Sequence, residues 1–418
     1  MSHDLVIVGA GAAGLAAART AGELGLDYLL LEASHRIGGR GYTEEIAPGV
    51  AFDLGCHWMH SASLNPFVAI ADRFGFSYRT GTYPRGLFVD DHWASEEERA
   101  SLDVFMGRCE ESIAAAARAG GGLSVADVTE RENRWTAVHD HFVTLGSSAD
   151  PDQVAVEDSQ NYNDTGENWP IKDGFGNLIV RFAEGIPVTL NCAVRAINWA
   201  GRAIELDTPK GTVAAKRVLV TVSTGILGAG DIRFDPVLPA WKEAAIAALP
   251  LGTHNRIGLM FDRDIFGPDC PRGGVFVDFV EPGREGMAFA LNAFGQNYAV
   301  GYTGGRHAVW LERAGQAAAV DLALERLVKA FGSDIRRHLT RTIVTAWNGD
   351  PWTKGSYSAA QPGQAHQRAE LGRPVDDRLF FAGEATSTNF MSTAHGAYLT
   401  GIAAATDIAR SLGLVTAA

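Results

Sequence analysis

The stretch that decides the fold is DLVIVGAGAAGLAAARTAGELGLDYLLLEA, residues 4–33. A continuous apolar run comes first, an alanine-rich segment closed by Gly25 follows, and a second apolar run completes it. A buried strand, a helix and a second strand within roughly 30 residues form the βαβ unit typical of dinucleotide-binding folds. We therefore predict an α/β fold that begins with such a unit.

The turn between the first strand and the helix carries Gly9, Gly11 and Gly14. The first glycine permits the tight turn, the second lets a pyrophosphate approach the backbone, and the third lets the helix pack on the strand. Glu32 ends the second strand, where its carboxylate can accept hydrogen bonds from an adenosine ribose. Because the first strand, the helix, the second strand and Glu32 at its end all agree, we favour a dinucleotide site over a glycine-rich loop without a ligand.

A second motif, E-x-x-x-R-x-G-G-R, runs from Glu32 through Arg36, Gly38 and Gly39 to Arg40. The forked guanidinium groups match phosphate oxygens, so this motif predicts a second clamp on the pyrophosphate. A nicotinamide dehydrogenase does not need that clamp, whereas a flavin dinucleotide site uses it. A basic surface turn would not account for the double glycine.

Composition excludes several other classes of protein. The net charge of −13 over 418 residues argues against nucleic acid or an anionic membrane surface as a partner. Cys56, Cys109, Cys192 and Cys270 show no C-x-x-C spacing, so we predict neither a metal site nor a disulfide framework. The chain enters a strand at once and has no apolar run of about 20 residues, so we expect a cytoplasmic protein.

Later segments predict an interleaved organisation. A helix over 95–119 has a capping box, Ser95 and Glu98, and a second helix ends at Gly332. Strand-like runs follow at VTLNCAVRAINW, AIELDT, TVAAKRVLVTVS and RLFFAGEA, before a final helix, AHGAYLTGIAAATDIARSL. The nucleotide fold is therefore expected to be interrupted by long insertions and completed by the end of the chain.

Further segments carry a family resemblance: FDLGCHWMHSASLNP, LNCAVRAI, VLVTVSTGIL, AWNGDPWTKGSYS and LFFAGEATSTNFMSTAHGAYLTGI. Through them the chain resembles the flavin amine oxidase superfamily, including the polyamine oxidases and the lysine-specific histone demethylase. The resemblance implies a two-domain fold, α/β and α+β, in which a Rossmann-type FAD-binding domain interleaves with a sheet-plus-helices substrate domain. The expected FAD-binding segments are 1–75, 172–250 and 347–418, and the expected substrate-binding segments are 76–171 and 251–346.

The resemblance assigns residues to the cofactor site. Val194 matches the residue whose backbone holds the adenine. Gly383 and Glu384 match the segment that binds the ribityl and phosphate part of FAD. Thr393 begins a helix beside the pyrimidine end of the isoalloxazine ring. A helix N-terminus there favours the negative charge of a reduced flavin. The full set of expected cofactor residues is Gly9, Gly11, Gly14, Glu32, Arg36, Gly39, Arg40, His57, Trp58, Val194, Trp347, Gly383, Glu384 and Thr393.

Other matches concern the substrate. Tyr357 corresponds to one wall of an aromatic cage for amines, and Trp352 is placed in the same substrate site. His60 matches a histidine at the flavin face, where an imidazole titrates in the right range to deprotonate an ammonium group. Asp164 and Glu167 could meet a cationic amine or be merely solvated. Ser356 stands where the covalently flavinylated members carry a cysteine, so we expect non-covalent FAD.

The stretch LGTHNRIGLMFD, residues 251–262, reads as a strand with Ile257, Leu259 and Phe261 on one face and Arg256 on the other. By resemblance Arg256 takes the place of a catalytic lysine that holds a water at flavin N5. Two interpretations stay open. Arg256 is a fixed hydrogen-bond donor in an ordinary amine oxidase, or it marks a changed oxygen response or a substrate that carries a carboxylate.

The function implied by the resemblance is FAD-dependent oxidation of a polyamine-like or small amine, primary or secondary, to an imine. The imine hydrolyses to an aldehyde and an amine, and oxygen or another acceptor reoxidises the flavin. Two alternatives are a flavin oxidoreductase acting on an amino acid, an alkaloid or a C–C bond, and a catalytically impaired flavin-binding protein. The expected partner is a small-molecule amine, not nucleic acid or a membrane, and a homodimer is left open.

Overall fold

The computed structural model describes residues 2–81, 85–266, 275–280 and 286–415, so Cys270 lies outside the described residues. The strands are β1 Ser2–Val8, β2 Tyr28–Leu31, β3 Thr43–Ala47, β4 Val50–Asp53, β5 Trp58–His60, β6 Arg85–Val89, β7 His92–Trp93, β8 Asn168–Pro170, β9 Ala196–Asn198, β10 Ile204–Thr208, β11 Gly211–Val220, β12 Arg233–Asp235, β13 His254–Phe261, β14 Val275–Val280, β15 Met287–Leu291, β16 Tyr298–Gly304, β17 Leu339–Val344 and β18 Leu379–Phe381.

The α-helices are α1 Ala12–Glu23, α2 Pro66–Phe74, α3 Glu96–Ala119, α4 Val125–Val128, α5 Thr136–Ser147, α6 Val156–Asn161, α7 Phe175–Phe182, α8 Thr224–Gly228, α9 Ala240–Ala248, α10 Gly305–Ala314, α11 Gln316–Phe331, α12 Ile335–His338, α13 Gln367–Gly372 and α14 Ala394–Ser411. Short 3₁₀ turns cover Ala62–Leu64, Pro151–Gln153, Ala293–Gly295 and Glu384–Thr386. Among the described helices, none combines the length and the apolar character that crossing a bilayer requires.

The first sheet has the order β12-β9-β10-β11-β1-β2, with β18 also paired to β11. Strands β2, β1, β11 and β18 run parallel, and Val6 of β1 pairs with both Leu29 and Val218. Because the carboxyl ends of these strands share one edge, the loops that follow Val8, Leu31, Val220 and Phe381 meet there. The predicted Rossmann-type unit is confirmed.

The first sheet is covered on both faces, which explains the continuous apolar run Leu5–Val8 at the end of β1. Leu5 and Ile7 face the cluster formed with α1 and α14, and Val6 and Val8 face the opposite cluster with Leu206 and other residues. Helices α1 and α14 pack without a gap, since a Cβ atom on Gly401 would lie 2.1 Å from the carbonyl oxygen of Ala13. The last helix is therefore an integral part of the first domain.

The second sheet has the order β17-β13-β16-β15-β14-β6-β7 and is antiparallel except for the β14–β6 pair. Ile257, Leu259 and Phe261 of β13 pack in a cluster with α11. The opposite face of β13 meets the first domain, where a Cβ on Gly258 would lie 2.6 Å from the Phe52 ring. The two faces predicted for this strand are confirmed, and Arg256 lies on the face toward the first domain.

Every strand of the first sheet falls in segments 1–75, 172–250 or 347–418, and every strand of the second falls in 76–171 or 251–346. The interleaved, two-domain architecture agrees with the sequence, whereas the end points of the domains stay a prediction. Helix α3 has the predicted capping box, and α11 ends before Gly332. In the run VTLNCAVRAINW only Ala196–Asn198 forms a strand, because the preceding residues cross the sheet edge beside Glu32.

Candidate active site

The glycine turn after β1 is shaped by contacts that only glycine permits. Gly9 has φ +105° and donates its N–H to the carbonyl of Leu31 at 2.8 Å. A Cβ on Gly14 would lie 1.8 Å from the Gly9 carbonyl oxygen, so helix and turn are in direct contact. A Cβ on Gly11 would meet no atom within 4 Å. The open side of the turn is therefore at Gly11, where a pyrophosphate could approach the backbone.

The second glycine motif packs on the first. Gly38 donates its N–H to the carbonyl of Ala10 at 2.8 Å, and its backbone pairs with Gly11. Gly39 has φ +56°, and a Cβ there would lie 3.3 Å from the Gly11 Cα. The double glycine thus lets two loops meet at one edge of the sheet.

Glu32 is fixed at the same edge. One carboxylate oxygen accepts the Ala10 N–H at 2.7 Å and the other accepts the Ser34 N–H at 2.8 Å. The backbone of Cys192 donates to the Glu32 carbonyl at 2.8 Å, so the segment leading to the buried Val194 runs alongside. The residues predicted to hold the adenosine are therefore brought together.

The two arginines of the motif are held differently. The Arg36 guanidinium lies 3.8 Å from the Tyr42 ring centroid, and its Nη1 donates to the Gly39 carbonyl at 2.8 Å. The Nη1 of Arg40 donates to the Glu384 carboxylate at 2.8 Å and to the Ser356 carbonyl at 2.6 Å. Arg40 therefore connects the motif to the end of the chain.

Glu384 is a buried carboxylate in a network of cations. Its burial opposes ionisation, but the guanidinium groups of Arg40 and Arg368 hold its pKa below the ordinary value. Arg368 is 1% exposed and forms a forked pair with Asp158, with Nε–Oδ1 and Nη2–Oδ2 distances of 2.6 and 2.7 Å. Asp158 lies on α6, so this network joins that helix to the segment that carries Glu384.

A cleft open to solvent lies beside this network. Its lining comes from the loops after β11 and β18 and includes Thr221, Gly383 and Glu384, with Arg40 on another side. Beyond it, Thr393 begins α14: its hydroxyl accepts the Gly396 N–H at 3.0 Å and donates to the Phe390 carbonyl at 2.7 Å. The N-terminus of α14 is thus well formed.

Arg256 and Trp347 bind adjacent carbonyl groups. Arg256 is 8% exposed, and its Nη1 donates to the backbone carbonyl of Asp53 at 2.8 Å. The indole Nε1 of Trp347 donates to the carbonyl of Leu54 at 2.9 Å. The ring of Tyr302 lies 5.7 Å from the Arg256 guanidinium carbon. Arg256 is therefore an anchored hydrogen-bond donor.

Sequence reasoning missed Asp53. Its carboxylate accepts hydrogen bonds from His57 Nδ1 at 2.8 Å and from Thr43 Oγ1 at 2.5 Å, and from the first N–H groups of α7. Burial opposes ionisation, but the bonds from His57 and Thr43 hold the Asp53 pKa below its ordinary value. The sequence did carry a signal for Asp53, an aspartate within the otherwise apolar run VAFDLG. A carboxylate buried in such a run needs hydrogen-bond partners.

His60 has a defined tautomer. Its Nδ1 lies 2.5 Å from the side-chain oxygen of Asn168, which can only accept, so Nδ1 carries the proton and Nε2 keeps its lone pair. Burial lowers the His60 pKa, so the imidazole is neutral at pH 7. Asn65 holds the His60 carbonyl at 2.9 Å and His395 Nδ1 at 3.2 Å. Both Asn65 and His395 escaped sequence reasoning.

Tyr357 forms an aromatic wall with two residues that the sequence did not single out. Its hydroxyl donates to the Leu145 carbonyl and lies 2.7 Å from His254 Nδ1. The His254 ring lies 5.7 Å from Tyr357 and 6.0 Å from Tyr302, centroid to centroid. Burial, with Arg256 nearby, lowers the His254 pKa to about 3. His254 shares a strand face with Arg256, so side-chain alternation could have identified it.

The remaining predicted residues have looser connections to this group. Trp58 packs edge-on to His57 at 5.2 Å, whereas Trp352 is 46% exposed and its substrate role stays a prediction. Asp164 accepts the Gly166 N–H at 2.8 Å. Glu167 accepts the Ser63 N–H and the Thr165 hydroxyl, each at 3.1 Å. The bond of Asp164 thus lies within a local turn, whereas Glu167 also joins that turn to the 62–64 segment.

The family model described as flavin-containing amine oxidoreductase matches residues 12–409. The chain belongs to this family. Polyamine oxidase 4 of Oryza sativa subsp. japonica is 28% identical, over 97% of this chain and 88% of the relative. Lysine-specific histone demethylase 1 homolog 1 of the same organism is 30% identical, over 98% of this chain but only 52% of the relative. This flavin-containing amine oxidoreductase thus spans about half of that demethylase.

A solved structure of putrescine oxidase bound to putrescine superimposes with a TM-score of 0.81, covering 98% of this chain and 99% of the other at 18% identity. The amine oxidoreductase therefore has the two-domain flavin amine oxidase fold, and FAD is its cofactor. The open Gly11, the contacting loops at Gly38 and Gly39, and the cleft beside Glu384 fit a flavin dinucleotide.

Proposed function

We propose that this FAD-dependent enzyme oxidises a polyamine-like or small amine, primary or secondary, to an imine, which water hydrolyses to an aldehyde and an amine. The single observation that carries the proposal is the neutral group around Arg256: His60 with a free Nε2 lone pair, and the wall of Tyr357, His254 and Tyr302. The polyamine oxidase relatives support the same substrate class.

His60 is proposed to meet the amine or a bound water. An amine at neutral pH arrives as an ammonium ion, and its nitrogen lone pair must be free before the adjacent C–H bond breaks. With Nδ1–H directed to Asn168, the Nε2 lone pair of His60 can accept a hydrogen bond or a proton from that ammonium. The role of His60 is therefore proton acceptor, held in one orientation by Asn168.

The aromatic wall suits such a substrate. Burial raises the pKa of Tyr357 and lowers that of His254 to about 3, so both are uncharged at pH 7. Ring faces attract an entering ammonium without fixing it as a carboxylate would. Bound FAD supplies the acceptor for the hydride that leaves the carbon next to nitrogen.

Non-covalent binding of FAD is part of the proposal. Ser356 offers a hydroxyl where a thiolate would be needed, and that hydroxyl accepts the His254 N–H at 2.7 Å and donates to the His254 carbonyl at 2.9 Å. Denaturation should therefore release free FAD into the supernatant. Flavin retained on the denatured chain would contradict this part.

Arg256 is proposed to act as a fixed donor, because its Nη1 is already bonded to the Asp53 carbonyl. Arg256→Lys tests this against the carboxylate-binding interpretation. We expect amines to reduce the flavin of the variant and its reaction with oxygen to persist. A selective loss of reduction by amino acids, with simple amines unaffected, would favour the other interpretation.

The decisive experiment is anaerobic mixing of the purified protein with amines, amino acids and other reduced compounds while flavin absorbance is followed. Reduction by di- and polyamines or small alkyl amines is expected. Reduction only by amino acids, alkaloids or compounds that are desaturated at a C–C bond would support the alternative flavin oxidoreductase, and no reduction at all would support a catalytically impaired protein. A cytoplasmic location, a homodimer and the lack of nucleic-acid partners stay predictions from the sequence.

A further inference from the structure

Glu312, in the last turn of α10, is a carboxylate surrounded by hydrogen-bond donors. It accepts the side-chain amide of Asn255 at 2.8 Å, the backbone N–H of Gly349 at 2.6 Å and that of Asn348 at 3.3 Å. All three donors are neutral groups that stand beside residues of the candidate active site: Asn255 precedes Arg256, and Asn348 follows Trp347.

Asn255 is 4% exposed and has only one satisfactory orientation. Its NH₂ group faces the Glu312 carboxylate, so its oxygen faces the other way. That oxygen accepts the Thr345 hydroxyl and the Trp347 backbone N–H, each at 3.2 Å. A reversed amide would place NH₂ against the Trp347 N–H, which can only donate, and oxygen against a carboxylate. Glu312 therefore determines which way the carboxamide points.

Two chains of hydrogen bonds lead from Asn255 to the site. The first chain runs through Thr345, whose hydroxyl oxygen accepts the Arg256 N–H at 2.8 Å, and it fixes the start of β13. The second chain runs through the backbone of Trp347 and fixes the indole, which donates to the Leu54 carbonyl. A pocket open to solvent borders Glu312, Asn255 and Thr345, so these bonds contribute to holding the group in place on that side.

We infer that Glu312 is a positioning residue for Arg256 and Trp347, acting through the Asn255 carboxamide. The inference rests on the proposed function, which makes Arg256 and Trp347 part of an amine-oxidising site. Glu312 itself touches neither substrate nor cofactor in this assignment. It holds the 345–349 turn and β13 at a fixed distance from the carbonyl groups of Asp53 and Leu54.

The chemistry of the contact allows a selective test. Glu312→Gln leaves one acceptor oxygen for three donors and turns an NH₂ group toward a donor. Asn255→Asp places two carboxylates side by side at a 2.8 Å contact. Combining Glu312→Gln with Asn255→Asp reverses the direction of the bond. The new amide then donates to the new carboxylate and still accepts from Gly349, so the two short contacts are restored and only the longer bond from the Asn348 N–H, at 3.3 Å, is lost.

The experiment compares the purified holoproteins of the wild type, both single variants, the double exchange and Glu243→Gln, a matched loss of charge at an exposed position of α9. The first readout is the rate of anaerobic flavin reduction at saturating amine, and the second is the visible circular dichroism of oxidised bound FAD. We expect the rate of flavin reduction to fall at least about tenfold in each single variant, which corresponds to the loss of one charge-assisted hydrogen bond. The double exchange should recover to within about threefold, and Glu243→Gln should match the wild type.

The inference is overturned if Glu312→Gln reduces the flavin as fast as the wild type with an unchanged dichroism spectrum. It is also overturned if the double exchange is no better than the single variants, since Glu312 would then act by another route. If no amine reduces the wild-type flavin, the proposed function fails. The dichroism series still decides the inference, because a loss and recovery of the FAD signal needs no turnover.

Discussion

The 53–58 segment is held by side chains from two directions. Arg256 and the indole of Trp347 bind the consecutive carbonyls of Asp53 and Leu54, and the Asp53 carboxylate holds His57 in turn. Two residues further along the chain, Met59 is fully buried in the core of the first domain. A segment anchored at so many points offers His60 a rigid support.

Tyr357→Phe removes the one hydroxyl that serves both Leu145 and His254. Two partly buried polar groups then each lose one hydrogen bond, and a typical hydrogen bond contributes about 0.5–1.5 kcal/mol. We expect the free energy of unfolding in urea to fall by about 1–2 kcal/mol, with the aromatic ring still available to the amine. An unchanged unfolding free energy would show that neither group depends on the hydroxyl.

The residues found from sequence are those with a local signature. Gly9, Gly14 and Glu32 lie in one βαβ unit, so spacing alone predicts their neighbourhood. Asp53, Asn255 and Glu312 act through partners far along the chain, and no local pattern records such a pairing. These pairings form only when segments far apart in the sequence pack together, which only the folded chain reveals.

At the scale of elements, two glycines of the turn after β1 are required for different reasons. The position at Gly14 must accommodate helix packing, whereas the position at Gly11 faces open space. The turn at Gly38 and Gly39 packs against this glycine turn. The element therefore contains one glycine required by the fold and another left free for a ligand.

Gly14→Ala should consequently impair folding, whereas Gly11→Ala should impair the binding of FAD. The Gly14 substitution places a methyl 1.8 Å from the Gly9 carbonyl oxygen, so we expect loss of folded protein. The Gly11 substitution meets no atom of the chain within 4 Å, so the flavin-free protein should melt within a few degrees of the wild type. Its FAD dissociation constant, measured by fluorescence titration, should rise at least about tenfold. Equal affinity for FAD would place the pyrophosphate elsewhere.

The link between α6 and the segment preceding α14 depends on the Arg368–Asp158 pair. Arg368→Met leaves the Asp158 carboxylate buried without its cation, which costs about 3–5 kcal/mol of folding free energy. Arg410→Met is the matched control, because its partner Asp407 is exposed on α14 and such pairs contribute about 1 kcal/mol or less. Urea unfolding of both variants measures the difference, and equal losses would contradict the assignment.

At the scale of the whole molecule, the interior carries histidines that fold in their neutral form. Burial lowers the pKa values of His141 and His395 to about 3, well below the 6.5 of an unfolded chain. As the pH falls below 6.5 the unfolded chain gains protons that the folded chain does not. Stability is therefore lost on acidification and is retained above that range.

When the pH is lowered from 7 to 5, the free energy of unfolding should fall by about 2 kcal/mol for each of these histidines. The check is urea unfolding at both pH values, for the wild type and for His141→Gln. The variant should be less stable than the wild type at pH 7 but should lose about 2 kcal/mol less on acidification. An identical loss in both proteins would mean that His141 is protonated in the folded state.

The contact between the first and last helices also bears on how the protein is made. Gly401 of α14 presses on Ala13, and Thr393 and Glu384 lie at the cofactor edge of a sheet whose first strand starts at Ser2. The dinucleotide cleft therefore cannot close until α14 has left the ribosome. Capture of the flavin must wait for the synthesis of that helix, and until then the apolar face of α1 lacks its cover.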